Sequence, residues 1–136
     1  MFESVVTTGP CRMKLVCLYL MTTSACILAS SCKLGQERFG GSCYQLLDQK
    51  MAWDEANTTC SDMGGGLVVP NYEDEHQFIW KMFERNVQES DVWIGCTDME
   101  EEGKWIQAGG GGQECSYFNW APGEPNQHSG HEEDCV

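Results

Sequence analysis

Residues 119–126 read NWAPGEPN. Two oxygen-bearing side chains, Glu124 and Asn126, flank Pro125, and a cis bond before the proline would turn both toward one point. Acidic residues cluster here and once upstream. The upstream group is Asp98 with Glu100, Glu101 and Glu102. The downstream group is Glu124, Asn126, Glu132, Glu133 and Asp134. Both lie in sequence punctuated by glycine and proline, and tryptophans precede both. Calcium takes about six to eight oxygen ligands from carboxylates, amide carbonyls, backbone and water, and a loop can wrap such an ion. Carboxylates held close together repel without a cation, so the ion also orders the loop that binds it. The stretch therefore reads as a calcium-binding loop.

Upstream of this loop the chain has regular elements. Residues 38–47, RFGGSCYQLL, predict two short strands meeting at Gly40-Gly41, where paired glycines tolerate a tight turn. Cys32 and Cys43 flank this stretch and could close a small loop. Trp53, Ala56, Cys60 and Met63 recur on one helical face, predicting a helix over 49–63 capped by Asp48 and stopped by Gly64-Gly65-Gly66. Asn57-Thr58-Thr59 is a glycosylation sequon, used or unused. A second helix is predicted over 72–84. Asn71 caps it, and Glu73, Asp74 and Glu75 suit the positive end of its dipole. Phe78, Ile79, Met82 and Phe83 form its core stripe, while His76 reads as a surface residue. Residues 91–96, DVWIGC, read as a strand, 97–103 as an acidic turn, and 104–107 as a return strand. Gly109 to Gly112 form a flexible loop without the Lys-Ser or Lys-Thr of a phosphate loop. Trp53, Trp93 and Trp120 are core anchors. Strands, two helices, then strands and long loops make an α+β pattern with no alternating βαβ unit.

The chain has 136 residues, 41% hydrophobic and 21% charged, which is one globular domain and not a disordered segment. Acidic residues outnumber basic ones 21 to 8, giving a net charge of −13, which repels phosphate backbones and disfavours nucleic acid. Nine cysteines without the tight pairs of zinc modules point to disulfides in a secreted protein. Residues 15–29, LVCLYLMTTSACILA, follow Arg12 and Lys14 and have the apolar character of a signal peptide. The run is short for a membrane span, which needs about 20 apolar residues. An uncleaved signal anchor is the alternative. Ala29 and Ser31 fit a small-x-small cleavage site. Residues 1–31 are thus assigned to an N-terminal extension and signal peptide, and 32–136 to the domain. Met13, from which the leader begins MKLV, is a second candidate start. Cleavage removes Cys11, Cys17 and Cys26 and leaves a soluble, extracellular product with no membrane span.

The ordered residues resemble the C-type lectin family. They are Cys43-Tyr44, Trp53 with Ala56 and Cys60, Gly65-Gly66-Leu67, Glu75, Phe78-Ile79, Trp93-Ile94-Gly95, Asn119-Trp120, Glu124-Pro125-Asn126 and Glu133-Asp134-Cys135-Val136. The resemblance implies two helices, small antiparallel sheets and a long calcium-binding loop. It implies a calcium ion that binds sugar directly, with Glu124, Asn126 and Glu133 as ligands. Glu-Pro-Asn usually goes with mannose, fucose and N-acetylglucosamine, and Gln-Pro-Asp with galactose. A carboxylate accepts from a sugar hydroxyl and an amide N–H donates to one. An auxiliary calcium site would use Asp98, Glu102, Glu133 and Asp134, though Gln127 stands where that site often has a carboxylate.

Cys32–Cys43 resembles the extra N-terminal pair of long-form members. Cys96 and Cys115 are additions, with pairing across the turn favoured over free thiols. The family usually continues beyond Val136 with a Trp-Asn-Asp strand and two cysteines that pair with Cys60 and Cys135. The expectation is therefore a truncated domain without its C-terminal strand, in which Cys60 and Cys135 lack partners. The function implied is calcium-dependent binding of glycans with mannose-like vicinal hydroxyls. A single sugar site is weak, so oligomers are expected. A lectin-like domain that binds protein without sugar, or an inactive truncated fragment, are the alternatives. No enzyme is expected. The carboxylates look like metal ligands, and His128 and His131 have no cysteine or serine partner.

Overall fold

A computed structural model describes residues 13–20, 32–86, 91–125 and 134–135. The element order is β1 (Met13–Leu20), β2 (Glu37–Phe39), β3 (Ser42–Met51), α1 (Trp53–Asp62), β4 (Gly66–Leu67), α2 (Glu73–Asn86), β5 (Val92–Trp93), β6 (Cys96–Thr97) and β7 (Ile106–Gln107). Two helices accompany small, mainly antiparallel sheets, an α+β architecture. The larger sheet runs β2-β3-β1-β4, with β5 also on β1, and β6 and β7 form a two-stranded sheet.

β1 is the largest departure from the sequence reading. Residues expected in a cleaved leader form the middle strand of the main sheet. One edge pairs antiparallel with β3, from Met13↔Met51 to Leu20↔Ser42. The other edge pairs antiparallel with β4 at Cys17 and Leu18, and parallel with β5 at Lys14 and Leu15. Cys17 is fully buried and bonded to Cys60 of α1. This corrects the expectation that Cys60 has no partner, and a domain boundary at residue 32 leaves out a strand that the sheet uses. The physical reason is an ambiguity of pattern. A strand inside a sheet can read as a continuous apolar run, and so does the apolar part of a leader.

The helices differ from expectation in their limits. The predicted helix over 49–63 begins at Trp53, because the β1–β3 ladder holds the chain extended as far as Met51. Asp48 is therefore a strand residue, and the N-cap is Ala52, without a side-chain cap bond. The stop at the glycines is as read. Gly65 N–H donates to Cys60 O at 2.9 Å and Gly64 N–H to Ser61 O at 2.9 Å, with Gly64 at φ +82°. That double bond at a left-handed residue satisfies carbonyls the helix leaves open. In α2, Asn71 does not cap through its oxygen. Its backbone N–H and its Nδ2 donate to Glu75 Oε2 at 2.9 and 3.1 Å, and Nδ2 also donates to Val69 O at 2.9 Å. Tyr44 Oη of β3 donates to Glu75 Oε1 at 2.7 Å. Glu75 is buried, and a buried carboxylate is tolerable because both of its oxygens are hydrogen-bonded.

The apolar faces divide among three clusters. Cys17, Met51, Trp53, Ala56, Cys60, Leu67 and Trp93 pack between the sheet and α1. Tyr44, Val68, Ile79 and Met82 pack between the sheet and α2. Val69, Cys96, Trp105 and Cys115 form the third, against which Phe118 and Trp120 lie. Trp53 and Trp93 are buried as expected, whereas Trp120 is half-buried. Their indole N–H groups join the layers, Trp53 donating to Ile94 O at 2.9 Å and Trp93 to Met51 O at 3.0 Å. The predicted strand over 91–96 is two strands in two sheets, divided at Gly95. The return strand is β7, paired with β6. Beyond β7 the described chain is irregular, and the candidate ligands lie there.

Candidate functional site

Asp98 follows β6 directly and folds its own turn. Its Oδ2 accepts from Gly103 N–H at 2.8 Å and its carbonyl from Glu101 N–H at 3.0 Å. The residue is 5% exposed, and its Oδ1 is buried with no hydrogen-bond partner among the described residues. Leaving a buried carboxylate oxygen bare is costly unless a cation or water meets it. Glu100, Glu101 and Glu102 project from the same turn into solvent. Lys104 Nζ pairs with Glu101 Oε2 at 3.0 Å, an exposed contact worth little.

The second acidic cluster reaches Asp98 through its end. Asp134 O accepts from Asp98 N–H at 3.2 Å and from Thr97 Oγ1 at 2.6 Å, while Cys135 bridges to Thr97 as an added strand position. Asp98 and Asp134, expected to share a site, are thus brought together. Glu102 lies on the Asp98 turn. Glu124 is half-buried and closes a turn with its N–H on Ala121 O at 3.0 Å. The Glu124–Pro125 bond is cis, the arrangement considered from the sequence. Asn126, Gln127, His128, His131, Glu132 and Glu133 lie outside the described residues. Among the described residues, no three His, Cys, Asp or Glu side chains gather into a metal cluster. The donors that are present are all oxygens, and the bare Asp98 Oδ1 suits a hard cation.

The loop that leads to Glu124 is tied to its surroundings by side chains. Cys96 is bonded to Cys115 at its start, while the Cys32–Cys43 bond lies apart, at the N-terminal side of β3. Phe118 and Trp120 stack at 5.0 Å between ring centres, and Trp105 packs on them at 6.1 and 5.1 Å. His76 was read as a surface residue but is 1% exposed. Its Nδ1 lies 2.9 Å from Tyr117 Oη, and Tyr117 Oη also donates to Glu73 Oε2. Burial lowers the His76 pKa, an effect that Glu73 partly offsets. Hydrogen bonds from Tyr117 and Gln77 lower the Glu73 pKa. No local signal marks this group, because the partners lie more than forty positions apart. Asn57 of the sequon lies on α1, half-buried, with its carbonyl accepting from Ser61 Oγ at 2.8 Å.

A model of the lectin C-type domain matches residues 49–136. The chain belongs to that family. The asialoglycoprotein receptor 2 of Mus musculus is 33% identical over 109 residues, covering 77% of this chain and 34% of that protein. The low affinity immunoglobulin epsilon Fc receptor of Mus musculus is 35% identical over 98 residues, covering 72% of this chain and 28% of that protein. The carbohydrate-recognition domain of the mouse scavenger receptor C-type lectin has the same fold. Its TM-score is 0.67 at 33% identity, covering 77% of this chain and 79% of that chain. The chain therefore spans about a third of the length of such curated relatives. Lectin C-type domains are extracellular, non-enzymatic binding modules that generally hold calcium, and many belong to membrane receptors. No helix among the described residues is long and apolar enough to cross a membrane.

Proposed function

We propose that this lectin domain binds glycans through calcium and prefers sugars with mannose-like vicinal hydroxyls. The observation that carries the reading is Glu124-Pro125-Asn126 at the end of the side-chain-tethered loop, a carboxylate and an amide one residue apart. Glu124, Asn126 and Glu133 would hold the ion. Calcium, when bound, accepts two sugar hydroxyl oxygens. Glu124 accepts the proton of one hydroxyl, and the Asn126 amide donates to the oxygen of another. Asp98, Glu102, Glu133 and Asp134 would hold a second ion beside β6, where the bare Asp98 Oδ1 stands. Such a site fixes the Asp134–Cys135 segment against β6 and so steadies the loop.

The family, the all-oxygen donor set and three disulfides among the described residues support an extracellular, non-enzymatic protein. The Cys32–Cys43 bond supports a long-form member. A glycan at Asn57 would extend outward from a half-buried position on α1. A single sugar site is weak, so useful affinity comes from several copies acting together. A second reading, protein binding without sugar, is favoured by the likeness to the low affinity immunoglobulin epsilon Fc receptor.

The test is retention on immobilised mannose and galactose with and without a calcium chelator. Elution from mannose by the chelator is expected, together with a shift toward galactose in the double variant Glu124→Gln, Asn126→Asp. Retention on neither sugar would favour the second reading, and retention that survives the chelator would overturn the calcium dependence.

A further inference from the structure

The stretch between Cys115 and Glu124 has little backbone support. Among the described residues, Cys115 N–H donates to Trp105 O at 2.9 Å at its start, and Glu124 N–H to Ala121 O at 3.0 Å at its end. Residues 115–121 have no regular structure. The placement of this stretch is therefore set by its side chains. One tether is the Phe118–Trp120 stack on Trp105. Beyond the Cys96–Cys115 bond at its start, the second is Tyr117, which crosses to α2.

The Tyr117 hydroxyl joins two α2 side chains at once. Its single proton goes to Glu73 Oε2, so its oxygen receives the proton on His76 Nδ1 at 2.9 Å. The rings meet edge to face, with centres 5.7 Å apart. Both acceptor and donor are themselves held. Glu73 Oε1 takes a bond from Gln77 Nε2 at 2.8 Å, and His76 is packed out of solvent. A hydroxyl gripped from both sides by a rigid helix fixes the position of its own backbone, seven residues before the Glu124 ligand.

We propose that Tyr117 is a positioning residue for the calcium loop, holding the strip that leads to Glu124 against α2 so that the loop is ordered before the ion arrives. This rests on the calcium reading given above. Preordering lowers the entropy lost on binding, so its removal weakens the ion's affinity and leaves the sugar contacts of the loaded site alone.

The experiment is a calcium titration of the full chain followed by tryptophan fluorescence, with mannose affinity measured at saturating calcium. Tyr117→Phe keeps the ring and removes both hydrogen bonds. Calcium affinity is expected to fall about fivefold, the scale of one net hydrogen bond, with mannose affinity at saturation unchanged. A lowered unfolding midpoint with unchanged calcium affinity would make Tyr117 merely structural and overturn the inference. Glu73→Ala is the second variant, exposed on α2; it removes the acceptor of the Tyr117 hydroxyl and carries the test where Tyr117→Phe does not fold. It should weaken calcium in the same direction, and no change overturns the inference. A wild-type chain that does not respond to calcium overturns this inference together with the calcium reading. A responding wild type with an indifferent Tyr117→Phe overturns this inference alone.

Discussion

The Cys17–Cys60 bond makes the status of residues 13–20 measurable. Replacing Cys17 by serine should destabilise the protein by an amount set mainly by the loop that the bond closes. The two cysteines are 43 residues apart in sequence. In the chain-entropy treatment, a loop of that length restricts the unfolded chain by about 4 kcal/mol. Total stabilities of small domains are about 5–15 kcal/mol, so the loss is a large fraction. With a urea slope of about 1.5 kcal/mol per molar, the unfolding midpoint should fall by roughly 2–3 M. Trp93 is a suitable reporter, because it is 1% exposed and packs in the same cluster as Cys17 and Cys60.

The assay is urea unfolding of the expressed full chain followed by tryptophan fluorescence, with peptide mapping under non-reducing conditions and N-terminal sequencing of the product. Cys60→Ser should cost as much as Cys17→Ser, and the double variant no more than either single one, since all three remove the same bond. A mature N-terminus at Cys32, with identical midpoints for wild type and Cys17→Ser, would refute the reasoning. Residues 13–20 would then leave with a leader, and the place of β1 would be filled in another way.

Gly95→Ala should destabilise by about 1–3 kcal/mol, because an added Cβ would stand 2.9 Å from Leu67 O and 3.0 Å from Leu67 Cβ; thermal unfolding with an unchanged midpoint would refute it. The pH profile of stability should fall on both sides of a plateau. On the acid side, burial holds the His76 pKa below the ordinary 6.5, so the unfolded chain takes the proton first. Stability is then lost as pH drops below about 6.5 and levels off below the folded value, and His76→Asn should flatten this arm. On the alkaline side, burial and the Glu75 carboxylate raise the Tyr44 pKa above its ordinary 10.0, so stability is lost as pH rises beyond that value. Burial and Glu73 raise Tyr117 as well, so Tyr44→Phe should reduce that loss without abolishing it, and an unchanged alkaline arm would refute the assignment.

The elements that were legible in the sequence are those whose cause is local. The hairpin at Gly40-Gly41, the helix stop at Gly64 and the buried face of Trp53, Ala56 and Cys60 each follow from neighbouring residues. Even there, tertiary pairing moved a boundary. Residues 49–51 adjoin a helical pattern, yet they continue β3, and the pairing of Met51 with Met13 keeps the chain extended there. Residues 15–20 were ambiguous for a deeper reason, because a translocated leader and a central strand both demand an unbroken apolar run. Only the partner at Cys60 separates the two, and it lies 43 positions away.

The same division runs through the candidate site. Glu124 and Asp98 are proposed as ligands from the sequence because oxygen donors in glycine-rich loops suit a hard cation. His76 and Tyr117 were not visible. A histidine in the first turn of an acidic helix looks solvated, and a tyrosine beside Phe118 looks like core. What they do together exists only once the loop has crossed to α2, and that crossing is a consequence of the fold. Candidate ligands are thus read from residue types, whereas the placement of the loop that would present them is written into contacts between distant positions. Variants chosen from the motif alone would probe the first and leave the second untouched.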